Sequence, residues 1–426
     1  MKSDEIKQKI MKLWKETFHD SDAYISLVFD TYFNPELVEY YEEKDQIISA
    51  LLGIPYEFNN GNEKFSGIYL CGLATKENFR HRGIMAGLIN KINERARDKG
   101  YAISFLIPAS DALRIYYQNK GYVNAMYRVE ECYTNVHDFS KDYTASLRKE
   151  DERVIQYRQK YLNELVATKF VDNKQFNIDK ISYYIHAKEQ ESKNYINIVH
   201  SNKDIEAIIR ENQLSNGEIY YVRTSDNILK GIAFVTFDER KKVIIPKIFF
   251  DDSYAYYKLL DEIKKSHSES PISIFRYPEE VDRFALWDKV YGAPNPNGFA
   301  SGSYGVTERV YDVGNHSQPY GMIKILDISQ ILKFMVKDRT DLKFSILVKE
   351  DNFAKEGTLY NVEADRVISK KINDTQIHIY NRMKDVTILS YRDISEILFR
   401  KKDQNSLIME AFGIPRIGIN MSLMLD

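Results

Sequence analysis

The chain has 426 residues, 43% of them hydrophobic, and a formal net charge of −2 from 60 basic and 62 acidic side chains. This is an ordinary globular composition, long enough for about two to four domains, and it lacks the basic excess that marks a nucleic-acid binder. The two cysteines, Cys71 and Cys132, exclude a disulfide framework or a cysteine metal cluster, and no run reaches the ~20 apolar residues of a membrane span. The expectation is a cytoplasmic protein with no metal, no nucleic-acid partner and no membrane partner.

In chain order, Ile6, Ile10, Leu13 and Trp14 share one helical face. A second helix carries Tyr24, Ile25, Val28, Phe29 and Tyr32 after the cap-like Asp20-Ser21-Asp22. "LVEYYEE" and "QIISALLGIPYEF" read as strands joined at Lys44-Asp45, and "KFSGIYLCGLAT" as a long third strand. A helix over Ile84–Lys99 ends at Lys99-Gly100. "YAISFLI" reads as a buried strand, "SDALRIYYQNKG" as a short helix capped by Ser110 or Asp111, and "YVNAMYRVEECY" as another strand. This order predicts a mixed sheet with helices on its faces.

The pattern turns polar over 138–153, which reads as a linker or domain start. The region up to about residue 310 has strands of its own, "EIYYVRT", "GIAFVTF" and "VIIPKIFF". "YGAPNPNGFASGSYG", 291–305, marks a long loop or boundary. From Tyr320 a third unit runs through "GMIKILD", a helix over Ile328–Val336, and strands "LKFSILVKED", "GTLYNVEAD", "QIHIYNR" and "DVTILSY". A helix over Arg392–Phe399 follows.

The most informative stretch is "NFRHRGIMAGL", 78–88. A glycine between a strand and a helix lets the backbone approach a ligand closely. The first helical N–H groups have no partner inside the helix and sit at the positive end of its dipole, which suits a pyrophosphate. Arg80 and Arg82 add charge. The dinucleotide fingerprint G-x-G-x-x-G and the Walker A loop are both absent. A solvated basic turn is the bland alternative.

"LATKENFRHRGIMAGLI" together with "FLIPASDALRIYYQNKGY" resembles the GNAT superfamily of acetyl-CoA-dependent N-acetyltransferases. Arg80, Gly83, Tyr117, Gly121 and Tyr122 match its pattern, Arg/Gln-x-x-Gly-x-Gly/Ala followed later by a Tyr and Gly-Phe/Tyr. Met85 stands where that pattern has Gly or Ala, a departure typical of the enhanced intracellular survival (Eis) branch. "ERVYDVGNHSQPYGMIKILDISQIL" and "DVTILSYRDISEIL" are similar to that branch's entry into, and end of, a sterol-carrier-protein-like domain.

The resemblance implies an α/β (α+β) architecture. Residues 1–137 would be a GNAT acetyltransferase domain, 138–305 a second GNAT-like domain without the CoA motif, and 306–426 a sterol-carrier-like α+β domain. It implies acetyl-CoA as cosubstrate and acyl transfer to a primary amine, of aminoglycoside, polyamine or lysine type. The pantetheine arm would pair with Leu73, Ala74 and Thr75. The pyrophosphate would lie on the turn formed by Arg80, His81, Arg82, Gly83, Ile84, Met85 and Ala86, on its backbone more than on its arginines. Tyr117 would be the general acid, with Tyr116 the runner-up, and the C-terminal carboxylate of Asp426 the proton acceptor. The branch also implies a homo-oligomer such as a hexamer. The competing function is a non-catalytic CoA- or lipid-binding module on the same scaffold.

Overall fold

The computed structural model describes residues 3–60, 63–140, 152–170, 178–191, 195–277, 317–337, 339–350, 354–383, 385–399 and 418–420. The fold is mixed α/β. The chain divides into two units, one from residues 1–126, 189–200 and 319–421, the other mainly from 127–188 and 201–318.

In the first unit, helices α1 (Ser3–Phe18) and α2 (Asp22–Tyr32) precede strands β1 (Val38–Glu43), β2 (Gln46–Asn59) and β3 (Lys64–Thr75). Ser21 caps α2 by accepting from the Tyr24 amide, a contact that contributes about 1 kcal/mol. Lys44 and Asp45 form a two-residue hairpin with φ of 49° and 62°, the left-handed pair that matches strand twist. Then come α3 (Ile84–Asp98), β4 (Ile103–Leu106), α4 (Asp111–Gln118) and β5 (Val123–Tyr133), whose residues from Tyr127 on belong to the second unit.

Two strands distant in sequence join this sheet. β7 (Tyr195–Val199) pairs with the end of β2, and β12 (Gln318–Ile325) pairs antiparallel with β4, placing Lys324 opposite Ser104. β17 (Gly418–Asn420) lies parallel to β7. The core under α3 and α4 gathers Leu51, Ile68, Leu88, Ile92, Leu106 and Tyr122. Its apolar burial is the main stabilising term.

The rest of the first unit is an α+β segment. Helix α9 (Ile328–Val336) leads to a sheet of order β15-β14-β13-β16, where β13 is Lys343–Lys349, β14 Gly357–Glu363, β15 Arg366–Ile372 and β16 Val386–Ser390. Helix α11 (Tyr391–Phe399) follows β16. The sequence expectation of a strand at "QIHIYNR" is corrected, because α10 spans Asp374–Tyr380. The alternating Ile377-His378-Ile379 mimics a strand, but Asn373 and Gln376 close a capping box that starts a helix. Strand β15, absent from the sequence expectation, forms from "RVISKKI" at an edge where mostly exposed side chains leave little periodic signal.

In the second unit the described elements are α5 (Glu152–Glu164), β6 (Val166–Lys169), α6 (Ile178–Gln190, whose last two residues belong to the first unit), α7 (Asn202–Leu214), β8 (Glu218–Arg223), β9 (Leu229–Phe237), β10 (Val243–Phe250), α8 (Ser253–Ser266) and β11 (Ile272–Arg276). Its strands run β6-β8-β9-β10-β11-β5. On β5 Glu131, wholly buried, receives Arg276 at 2.9 Å and the Tyr256 hydroxyl at 2.9 Å, so the buried carboxylate is paired as burial requires. The expected loop at 291–305 lies outside the described residues.

Candidate active site

The site begins with an irregularity in β3. Ala50 faces Ala74 and Leu52 faces Cys71, so β3 carries one extra residue between these pairs. Gly72, in this bulge, has φ +60°, and a Cβ there would lie 2.0 Å from the Trp14 ring. Only glycine fits both the left-handed backbone and the indole packed on it. The bulge redirects the strand end, which carries Leu73, Ala74 and Thr75.

Among the described residues, the opposite edge of β3 is unpaired beyond Tyr69. β3 pairs in parallel with β4 only from Gly67–Tyr69 to Ile103–Phe105, while β3 runs on to Thr75. The two strands part just before the bulge. An unpaired strand edge of this kind can add an extended ligand through its backbone groups. On the other side Ser49 ties the strand end down. Its hydroxyl donates to the Ala74 carbonyl at 3.0 Å and lies 2.8 Å from Thr75 Oγ1.

The turn that follows places His81 at φ +63° and Gly83 at φ +76°. Gly83 is the N-cap of α3 and no side chain caps the helix. The first bond of the helix runs from the Gly87 amide to the Gly83 carbonyl. The Ile84, Met85 and Ala86 amides therefore have no acceptor among the described residues. Among the described residues, a Cβ at Gly83 would meet nothing within 4 Å. An anion fits here, held by donors that otherwise lack acceptors and by the dipole.

The arginines are engaged locally. Arg80 Nε donates to the Thr75 carbonyl at 3.2 Å, and Arg82 Nη2 donates to the Asn78 carbonyl at 2.9 Å. The Arg82 guanidinium also lies over the Phe79 ring, 4.8 Å from its centre. Both side chains fold back on the turn and shape its backbone. Met85 and Leu73 are half-buried and pack on the same core cluster as Tyr117 and Tyr116.

Tyr117 lies in the last turn of α4, which Ser110 caps through the Leu113 amide. Its side chain is buried, with 6% exposure, and its hydroxyl has no hydrogen-bond partner among the described residues. Burial, followed by the neighbouring Tyr122 and Tyr116, pushes its pKa well above the usual tyrosine value. Tyr117 keeps its proton through the neutral range. Its ring meets Tyr116 edge-on at 5.3 Å and Tyr122 at 6.1 Å. Tyr122 is fixed in turn, its hydroxyl 2.7 Å from Ser104 Oγ and 3.2 Å from Asn93 Nδ2, and burial pushes it up to about 12.

Residues 1–125 match the family model of the acetyltransferase (GNAT) domain. Solved structures agree in fold over nearly the whole chain. A probable N-acyltransferase of unknown function from Enterococcus faecalis V583 superposes with a TM-score of 0.63 at 11% identity, covering 98% of this chain and 96% of that one. A GCN5-related N-acetyltransferase from Anabaena variabilis gives 0.63 at 12%, covering 97% and 96%. Eis1 from Mycobacterium abscessus gives 0.62 at 10%, covering 96% and 90%. These identities establish a shared fold. No curated protein matches the sequence.

Within residues 1–125, the structure brings the strand end at Leu73–Thr75, the turn at Arg80–Ala86 and Tyr117 onto one core cluster through Leu73, Met85 and Tyr117. Asp426 lies outside the described residues. Cys71 is half-buried on β3. The acidic stretch at 40–46 is partly neutralised, since Lys9 Nζ lies 3.0 Å from Glu42 and 2.6 Å from Asp45. Sequence reasoning missed Ser49, Gly72, Asn93, Ser104 and Lys324 as supports of the site. A glycine inside the long strand "CGLAT" is itself a bulge signal and could have exposed Gly72. The others have no local signature, because their partners are remote in sequence.

Proposed function

We propose that the protein is an acetyl-CoA-dependent N-acetyltransferase acting on a primary amine of aminoglycoside, polyamine or lysine type. The observation that carries this reading is the N-terminus of α3 without a side-chain cap, with three amides that have no acceptor among the described residues, beside a parted strand pair and a buried, protonated tyrosine. When bound, acetyl-CoA supplies an activated acetyl group and a thiol leaving group. The Ile84, Met85 and Ala86 amides would hold the pyrophosphate, and Leu73, Ala74 and Thr75 would hold the pantetheine arm through their backbone. Tyr117 would hold a proton at its hydroxyl oxygen and give it to the departing sulfur, which has an ordinary pKa of about 8.5.

The amine must lose a proton, and the carboxylate of Asp426 is the proposed acceptor. With an ordinary pKa of about 3.3–3.7 an α-carboxylate is a weak base, so it would act through a raised pKa or by relay through water. We further read residues 138–305 as a second GNAT-like domain without a CoA site, and 306–426 as a sterol-carrier-like domain in a homo-oligomer such as a hexamer. The four-stranded sheet with its three helices supports the α+β part of that reading. The cavity of about 610 Å³ beside α9 and β15 is lined by the charged Lys64, Lys333 and Arg366 and by the apolar Phe65, Phe334 and Ile368, a mixed lining that does not single out a lipid.

The test is release of free thiol from acetyl-CoA with a panel of aminoglycosides, polyamines and lysine peptides. Turnover with at least one amine is expected, lost in Tyr117→Phe and reduced by residues appended after Asp426. No turnover with any amine and no binding of CoA would remove the acetyltransferase reading. Full activity in the extended chain would remove Asp426 from it.

A further inference from the structure

Helix α4 carries Tyr117 and has only eight residues, too few to be stable alone. Its geometry rests on what holds its ends. Both ends are held by β12, about 200 positions further along the chain. In the first turn Arg114 Nη2 donates to the Pro319 carbonyl at 2.9 Å, while its Nη1 donates to Asn124 Oδ1 at 3.0 Å. Past the last turn, Lys324 Nζ donates to the Lys120 carbonyl at 3.0 Å.

Lys120 belongs to the turn that closes α4. The Lys120 and Tyr122 amides both donate to the Tyr117 carbonyl, at 2.9 and 3.1 Å. Gly121, with φ +85°, makes that turn, and a Cβ there would lie 3.5 Å from Lys324 Cε. The lysine chain thus lies against the turn while its ammonium binds it. A cation at this end of a helix meets the negative pole of its dipole. Burial lowers the lysine pKa, and Glu350 partly offsets this. Lys324 is itself fixed by the β4–β12 register opposite Ser104, whose hydroxyl holds Tyr122 against Tyr117.

We propose that Lys324 is a positioning residue for acetyl transfer: by binding the Lys120 carbonyl it sets the closing turn of α4 and, through it, the place of the Tyr117 hydroxyl. It rests on the reading of Tyr117 as the proton donor. The contact of Lys324 is with the turn, through the Lys120 carbonyl. β12 is consequently part of the transfer site, although residues 1–137 do not contain it.

The experiment uses the full chain, with Lys324→Met and Lys324→Arg beside the wild type. Hydrogen–deuterium exchange is followed over 111–122, and steady-state kinetics with acetyl-CoA and whichever panel amine is turned over. Losing a charged donor to a carbonyl predicts, for Lys324→Met, about tenfold faster exchange in the closing turn and about tenfold lower kcat. KM for acetyl-CoA should stay within about twofold, because the pyrophosphate cradle is on α3. Lys324→Arg, which keeps a cationic donor, should recover most of both losses. Unchanged exchange over 111–122, or a fall in kcat matched by an equal loss of acetyl-CoA affinity and of melting temperature, would overturn the proposal. If Lys324→Met does not fold, Arg114→Gln tests the other end and should show the same split of kcat from KM, about threefold. A wild-type chain that binds CoA yet turns over no amine removes the role in transfer. The exchange result then decides only whether Lys324 fixes α4.

Discussion

Helices α3 and α8 stand at equivalent points of the two units. Each follows a strand of a mixed sheet and leads into a parallel neighbour: β3 pairs with β4 over three residues, and β10 pairs with β11 over Val243–Ile245 and Ile272–Ile274. Their first turns differ in chemistry. Before α3 stands Gly83, and no side chain caps the helix. Before α8 stands Asp252, whose Oδ1 accepts the Ala255 amide at 2.9 Å and whose Oδ2 accepts the Tyr161 hydroxyl at 2.6 Å. The neighbouring Asp251 is held by Lys188 at 2.8 Å and Lys230 at 3.0 Å. The same strand–turn–helix plan therefore yields, among the described residues, a helix start without a side-chain cap in one unit and a helix start already filled by carboxylate in the other. The plan positions the amides, and the cap residue decides whether a ligand can use them.

The contrast breaks most severely if transfer does not occur at the first junction. Tyr117→Phe should lower kcat by about 10²-fold or more, the scale of a lost general acid, while calorimetric affinity for acetyl-CoA stays unchanged. Because burial raises the Tyr117 pKa, its proton is fully present below the ordinary tyrosine value of about 10 and is lost only above it. The kcat–pH profile should show no alkaline fall from this group below that pH. A limb near pH 8 to 9, about the thiol range, would assign the acid elsewhere.

Transferring the second unit's cap into the first sharpens the comparison. Gly83→Asp should weaken acetyl-CoA binding about 100-fold, since a carboxylate would both occupy the free amides and repel the pyrophosphate. Aspartate tolerates the left-handed backbone better than most residues, so a loss of binding without a large loss of melting temperature is the expected calorimetric result. The converse change, Asp252→Ala, should cost about 1–2 kcal/mol in denaturant unfolding as a lost cap and leave acetyl-CoA affinity unaltered. Smallest of all, Arg82→Ala should change acetyl-CoA affinity by less than about threefold, because its guanidinium is spent on Asn78 and Phe79 and any surface charge effect is screened. A large loss there would move the anion contact from backbone to side chain.

Much of the first unit was legible from periodicity and turn chemistry. Ser21 and Ser110 cap the helices read from their neighbourhood, and Lys44-Asp45 makes the hairpin expected of it. The glycine before α3 was readable as a point of close backbone approach, while its left-handed φ came from the structure. The helix at Asp374–Tyr380 was misread, since two isoleucines one residue apart imitate a strand while the deciding Asn373–Gln376 box is polar. The supports of Tyr117 carried no local pattern at all.

By itself the sequence determined the local devices of this protein: the glycine that opens the helix, the caps, the hairpin, and the tyrosine near the end of a short helix. Each depends on backbone conformation within a few residues, so each leaves its mark there. The tertiary structure alone decided that β3 and β4 part, that Trp14 lies over Gly72, that Ser104 and Asn93 hold Tyr122, and that Lys324 reaches the turn behind Tyr117. Those contacts join residues up to about 200 positions apart, and a side chain placed by the register of a remote strand has nothing in its own neighbourhood to announce its partner.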